Sequence, residues 1–142
     1  MSGPDSPPAS VADFLEGGHI AVLSIPAAVA GEAPLATPLW YSFDREVSEF
    51  TVVTPRSSRK MAYLAAGRAV SLCVVGGEAN QDFVAIRGKV VVAEPISHAE
   101  RVAFVRRYRG DDAERFVSES SFDDADMAAV RVRADRWRFR VR

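Results

Sequence analysis

The sequence predicts an α+β domain: a mostly antiparallel sheet closed into a small barrel, with a few peripheral helices. Three observations predict it. The elements run helix, three strands, helix, two strands, helix or helices, two strands, and no helix falls regularly between strands, which argues against βαβ winding. Asp44-Arg45-Glu46 is a tight polar turn between two apolar runs, so the flanking strands return on each other as a hairpin. Gly88 sits inside the long run Phe83 to Ala93, where a glycine marks a bulge or a sharp bend such as a barrel corner.

Each element has a local reason. Ser10, with Asp13 three residues on, starts a short helix from about Val11 to Glu16, and Gly17-Gly18 stops it. His19 to Ile25 is a β-rich strand, and Pro26 to Pro34 is a small-residue turn region. Leu35 to Phe43 is a second strand; Pro38 cannot donate to a ladder, so this strand suits an edge or a bulge. Val47 to Thr54 is its hairpin partner. Ser57 to Ala66 reads as a helix ended by Gly67, and Arg68 to Val75 as a strand. A loop from Gly76-Gly77 to Asp82 leads into Phe83 to Ala93. Ser97 with Glu100 is a capping box that opens a helix to about Tyr108, and Gly110 stops it. Asp112 to Glu119 adds a turn or two, and Met127 to Val132 and Arg136 to Val141 are two short alternating strands.

Composition bounds the function classes. At 142 residues the chain has one domain's worth of core, here 10–142 behind a short leader, 1–9, that is rich in Ser, Gly and Pro and reads as disordered. Hydrophobic residues make up 48% and charged residues 26%, which excludes a mostly disordered or collagen-like chain. No apolar stretch approaches the roughly 18 residues that span a bilayer, and the N-terminus lacks the pattern of a signal peptide. A single cysteine, Cys73, lies in an apolar run and reads as a buried, inert thiol; a cytoplasmic protein is expected. His19 and His98 share no metal-ligand spacing with each other or with Cys73, so no metal is expected. The acidic clusters around Asp111 and Asp123 lack the pattern of a calcium loop and read as solvated flanks.

The net charge of −1 hides an asymmetry: the last twelve residues hold six arginines and one aspartate, a local +5. In Arg136 to Arg142 the arginines alternate with Trp137, Phe139 and Val141. Alternation puts the aromatics on the face opposite the arginines, where they cannot stack bases beside those charges, so nucleic acid is not expected. The preferred reading is an exposed strand face whose arginines pair with acidic strands or a partner subunit. An anion or cofactor role for one of them stays open.

The segment that carries chemistry is Thr54-Pro55-Arg56-Ser57-Ser58-Arg59-Lys60. Here a strand ends and a helix is expected to begin, presenting free N–H groups, two hydroxyls and three cations at one point. Cations at a helix start are unfavourable unless an anion sits there, so the pattern points to a phosphate. The alternative is a solvated basic turn whose charges pair with Glu49 or Asp44. There is neither a Walker loop nor a dinucleotide glycine fingerprint. No side chain stands out as a general acid or base, as suits chemistry performed by a cofactor.

At these residues the chain resembles the pyridoxamine 5'-phosphate oxidase-like split-barrel flavoproteins. The strand ending at Thr54, the Ser58-Arg59-Lys60 triplet and the strand Arg68 to Leu72 look like the family's core. Pro34 to Tyr41 and Phe83 to Gly88 are similar to two further strands, and Arg107-Tyr108 and Asp135-Arg136-Trp137 to a small actinobacterial branch. The resemblance implies an FMN-binding split β-barrel and a homodimer with the cofactor at the subunit interface, FMN first and the deazaflavin F420 as the alternative. It implies that Thr54, Ser58, Arg59 and Lys60 hold the cofactor phosphate and that Pro38, Leu39, Trp40 and Tyr41 line its ring. The activity implied is hydride or electron transfer to an unknown small molecule. A non-catalytic cofactor carrier or haem-binding protein is the reading from another class, with His19 and His98 as the obvious nitrogen ligands. The chain departs from the oxidases proper at Phe83, where they have a polar flavin contact, and in lacking their C-terminal motif, so vitamin B6 oxidation is not implied.

Overall fold

The computed structural model describes residues 6–142. Seven strands form one sheet: β1 (Ile20–Ile25), β2 (Leu35–Leu39), β3 (Ser42–Asp44), β4 (Glu49–Pro55), β5 (Ala69–Gly76), β6 (Asp82–Pro95) and β7 (Met127–Arg140). Their order is β2-β1-β5-β6-β7-β4-β3, and every neighbouring pair is antiparallel. The two edge strands, β2 and β3, are consecutive in sequence and joined only by Trp40 and Tyr41. Three Cα steps of about 3.8 Å span at most about 11 Å, so the sheet must curl until its edges nearly meet. The barrel is thus closed by the chain and not by a ladder. Pro38 lies on β2, an edge strand paired only with β1, where a residue without an N–H is best tolerated.

Alternation sorts the strand residues. Leu23, Leu72, Val74, Val84, Ile86, Phe50 and Val132 face the barrel interior and are buried. Ile20, Val22 and Val75 lie on the outer face and are exposed. Cys73 shares that face and is half-buried rather than enclosed, although burial still pushes its thiol up. The helix α1 (Ala9–Leu15) buries Val11, Ala12 and Leu15 against the same core. It begins two residues before Val11, with Pro8 at its N-cap, so Ser10 lies inside the first turn and caps nothing. Of the leader expected over 1–9, positions 1–5 lie outside the described residues, and Ala9 is already helical. A second small core forms where α2 (His98–Arg109) and α3 (Ala113–Ser118) pack over Trp40 and Val53. The Ser97 capping box is present in part: its hydroxyl accepts from the Glu100 N–H at 3.1 Å.

The single strand expected over Leu35 to Phe43 is two short strands, β2 and β3, at opposite edges of the sheet, and only β3 is the hairpin partner of β4. Two further expectations change. The C-terminal pair of strands is one strand, β7, running alongside the whole length of β6. Its inward phase slips at Asp135, an extra residue opposite the step from Arg87 to Gly88. Val132 and Ala134 are buried before the slip, and Trp137 turns inward after it. A bulge of this kind bends the strand and re-aims side chains. Gly88 makes it possible: a Cβ there would lie 2.3 Å from the Arg133 carbonyl oxygen. The second change is the helix expected over Ser57 to Ala66, which is a single five-residue 3₁₀ turn, Arg59–Tyr63.

Candidate functional site

Thr54 is the last residue but one of β4, with its side chain buried. The chain then turns: the Ser58 N–H donates to the Pro55 carbonyl at 3.0 Å, and the Arg56 N–H donates to the Asp126 carbonyl at 2.7 Å, tying the turn to the segment before β7. Ser58 stands at the start of the 3₁₀ turn in extended conformation, yet its hydroxyl does not cap the turn. It pairs instead with the Thr54 hydroxyl at 3.1 Å. The 3₁₀ form follows from what comes next. Leu64 is driven into the core at 1% exposed, and Gly67 adopts φ +87°, so the chain leaves helical geometry after one turn. A turn this short carries little of the dipole of a full helix, so an anion would be held here by side chains.

Three cations surround the hydroxyl pair in sequence. Arg56 and Arg59 are exposed and Lys60 is half-buried. Burial holds the Lys60 ammonium below the usual lysine range. Among the described residues no carboxylate lies within 4.0 Å of any of the three. The acids that might have neutralised them are engaged elsewhere: Glu49 pairs with Arg133, and Asp44 accepts from the Glu46 N–H at 2.9 Å. The solvated-turn alternative, with charges paired to those acids, therefore does not describe this turn.

Arg59 opens onto a hollow of about 330 Å³ between the Pro26–Pro34 turn region and Tyr63. That hollow shares Pro26 and Pro34 with a second, of about 320 Å³, floored by Ser24, Val70 and Ser71. The second shares Ser71 and Arg87 with a third, of about 350 Å³, bounded by Arg136 and Arg138. Together they form one groove that crosses the outer face of the sheet from Arg59 to β7.

The other proposed ring-lining residues lie where β2 passes to β3. Pro38 is exposed, opposite Val22 on β1, and Leu39 packs against the core. Trp40 stacks on Tyr108 with ring centroids 4.6 Å apart and planes 4° from parallel, and it also touches Phe116. Its ring is committed to the helical layer. Tyr41 is fully buried, and its hydroxyl donates to the Leu15 carbonyl at 2.7 Å, one of the acceptors that the end of α1 leaves without a partner. Burial pushes its phenol above the ordinary range. The structure thus joins Thr54 and Ser58 through their hydroxyls, with Arg59 and Lys60 next in the chain, while the side chains of Trp40 and Tyr41 belong to packing.

Sequence reasoning gave no role to several groups that the fold uses. Arg107 reaches the carbonyls of Tyr41, Glu16 and Gly17. The Tyr108 hydroxyl donates to the His19 carbonyl at 2.8 Å and accepts from the Tyr41 N–H at 3.1 Å. These two residues dock α2 onto the joint between the sheet edges. The Asp123 cluster is not merely solvated: Asp124 binds buried Arg101 at 2.9 Å and His98 at 2.8 Å. His98 also reaches Glu114 at 2.6 Å, so both its ring nitrogens are occupied. The His19 ring stacks on Phe14. Among the described residues no group of three His, Cys, Asp or Glu could hold a metal, and no helix is long and apolar enough to cross a membrane.

Residues 8–141 match the family model of pyridoxamine 5'-phosphate oxidase. The chain belongs to that family. Its sheet is the family's split barrel, in the α+β class. Among solved structures, an F420 reductase superposes with a TM-score of 0.72 at 20% identity, covering 89% of this chain and 94% of the reductase. A conserved hypothetical protein from Mycobacterium tuberculosis gives 0.68 at 22% identity, covering 99% and 85%. The FAD and heme binding protein of Mycobacterium smegmatis gives 0.66 at 16%, covering 96% and 71%. At these identities the likeness is one of fold. No curated protein matches the chain.

Proposed function

We propose that this member of the pyridoxamine 5'-phosphate oxidase family is a flavin-dependent oxidoreductase. Thr54, Ser58, Arg59 and Lys60 hold the phosphate of FMN. The observation that carries this is Lys60: a half-buried ammonium, destabilised by its surroundings, with no carboxylate among the described residues within reach and a hydroxyl pair close by in the chain. An arriving phosphate would supply the missing counter-charge, and the two hydroxyls would supply donors. The donor set therefore fits a phosphate monoester. When bound, the ring supplies hydride or electron transfer, and the protein supplies position. The groove leading from Arg59 across the outer face gives that ring a surface to lie on, walled by Pro26 and Pro34.

F420 in place of FMN is the second reading, favoured by the close superposition with an F420 reductase over nearly its full length. Both cofactors present a phosphate to the same residues. A homodimer fits the outer sheet face, where Ile20, Val22 and Val75 are exposed at 46%, 38% and 42% in the single chain. The haem-binding reading has less support, since both nitrogens of His98 are taken by carboxylates.

The test is the absorption spectrum of the purified protein, followed by titration with FMN and F420 and sedimentation of the loaded protein. A bound chromophore, quenched fluorescence on titration with one of the two and a dimeric mass support the proposal. A colourless protein that shifts the fluorescence of neither cofactor overturns it.

A further inference from the structure

The arginine-rich strand divides in two. Arg131 is paired with Glu94 and Glu100, and Arg133 with Glu49, as the acidic-strand reading expects. Past the bulge that pattern stops. Among the described residues Arg136, Arg138 and, on the neighbouring strand, Arg87 have no carboxylate within 4.0 Å. Arg140 is held by the Gln81 carbonyl, and the Arg138 guanidinium lies 6.0 Å from the centroid of the Phe83 ring.

The register makes this arrangement unusual. Arg87 stands directly opposite Arg136, and Arg138 follows on the same face, opposite Ala85. Opposed residues in an antiparallel pair have Cβ atoms about 5 Å apart, and like charges at that spacing destabilise the sheet. The Asp135 bulge creates the opposition, because it shifts the phase of β7 so that Arg136 faces outward with Arg87. The three arginines border the third hollow of the groove, with small Ser71 beside Arg87 on β5 and small Ala85 opposite Arg138. Asp135 and Lys89 line the adjoining hollow, and among the described residues neither is ion-paired, so four cations meet one carboxylate here.

We propose that Arg87, Arg136 and Arg138 form a second anion subsite, at the opposite end of the groove from Arg59, that takes the carboxylate or phosphate of a small organic substrate. Guanidinium groups suit this class because their planar fork binds such anions with two parallel hydrogen bonds. The anion relieves the repulsion between the opposed arginines, and the groove puts it on the surface assigned to the cofactor. Calling the anion the substrate's rests on the oxidoreductase reading; the anion site itself does not.

The test uses inorganic phosphate as probe and calorimetry as readout. Arg59→Ala/Lys60→Ala removes the cofactor-phosphate cations, so phosphate binding left in that background reports on the arginines. Adding Arg87→Gln/Arg136→Gln there is expected to weaken it by about tenfold or more. Introduced alone, Arg87→Gln/Arg136→Gln leaves FMN or F420 affinity within about threefold and does not lower the thermal midpoint, since it removes a repulsion. Arg87→Lys/Arg136→Lys keeps the charge, loses the fork and falls in between. Unchanged phosphate binding in the quadruple variant overturns the proposal. So does an equal loss of cofactor affinity in the double variant, which makes the arginines part of the cofactor site. A shift from dimer to monomer in the double variant also overturns it and makes them an interface between copies. A protein that binds neither cofactor yet loses phosphate with the arginines leaves this subsite standing and the oxidoreductase reading refuted.

Discussion

Replacing Gly88 by alanine tests the barrel corner on which the groove depends. The added Cβ would fall 2.3 Å from the Arg133 oxygen, 3.0 Å from its carbonyl carbon and 3.2 Å from the Ala134 Cα. All three are backbone atoms, so no side chain can swing away. Non-bonded contacts of this kind stop near 3.0 Å, so β7 must retreat from β6 by about 0.7 Å at the bulge. One or two ladder hydrogen bonds weaken, at about 1 kcal/mol each, and residual overpacking adds about 1–2 kcal/mol. The expected destabilisation is about 2–4 kcal/mol, measured as a lower urea midpoint at fixed protomer concentration. Gly67 is the control. It has φ +87° and nothing within 4 Å of a Cβ, so its limit is conformation and not space. Gly67→Ala should cost about 1 kcal/mol, and Gly67→Asn less, because asparagine tolerates that region. A Gly88→Ala protein within about 0.5 kcal/mol of the parent would refute the reasoning, since β7 would then not press on Gly88.

Three further outcomes follow from single groups. Tyr41→Phe leaves the Leu15 carbonyl without its donor in a buried setting and should cost about 1–2 kcal/mol in urea unfolding without altering cofactor affinity. Hydrogen bonds to Glu114 and Asp124 raise the His98 imidazole above its ordinary 6.5, so its stabilisation is full below that value and disappears as pH rises through the raised one. The loss of thermal midpoint in His98→Ala should accordingly be larger in mildly acidic buffer than in alkaline buffer, and an equal loss in both would contradict the ion-pair account. Burial lowers the Lys60 ammonium, so the affinity of the empty site for phosphate should fall with rising pH before ordinary lysines titrate. Calorimetry across that range should show the fall in the parent and a flat profile in Lys60→Arg, whose guanidinium stays charged.

How much of this could be read from the chain depends on whether a feature is local. The Pro38 edge, the hairpin turn at Asp44 and the corner at Gly88 each follow from one residue type at one position, and each is present. The 3₁₀ turn at Arg59–Tyr63 was not legible, because helical propensity over Ser57 to Ala66 was overridden by the burial of Leu64. From sequence β7 reads as two strands, because the extra residue at Asp135 slips the alternation. A bulge looks like a break when its partner strand is unknown. Tyr41 and Trp40 sit on neighbouring positions of one segment, and only the fold shows that one enters the core while the other stacks on Tyr108. The opposition of Arg87 and Arg136 is likewise invisible in sequence, since it needs the register of β6 against β7.

The central claim is that Thr54, Ser58, Arg59 and Lys60 read a phosphate. The most direct measurement is the ratio of affinities for FMN and riboflavin, which differ only in that group, taken for the parent and for Arg59→Ala/Lys60→Ala. For an F420-binding protein the matching pair is F420 and its phosphate-free chromophore. Charge-assisted hydrogen bonds worth about 1.5–3 kcal/mol predict a preference for the phosphorylated form of about tenfold or more, largely lost in the variant. Equal affinities for both forms in the parent, or a preference that survives the loss of Arg59 and Lys60 unchanged, would contradict the account.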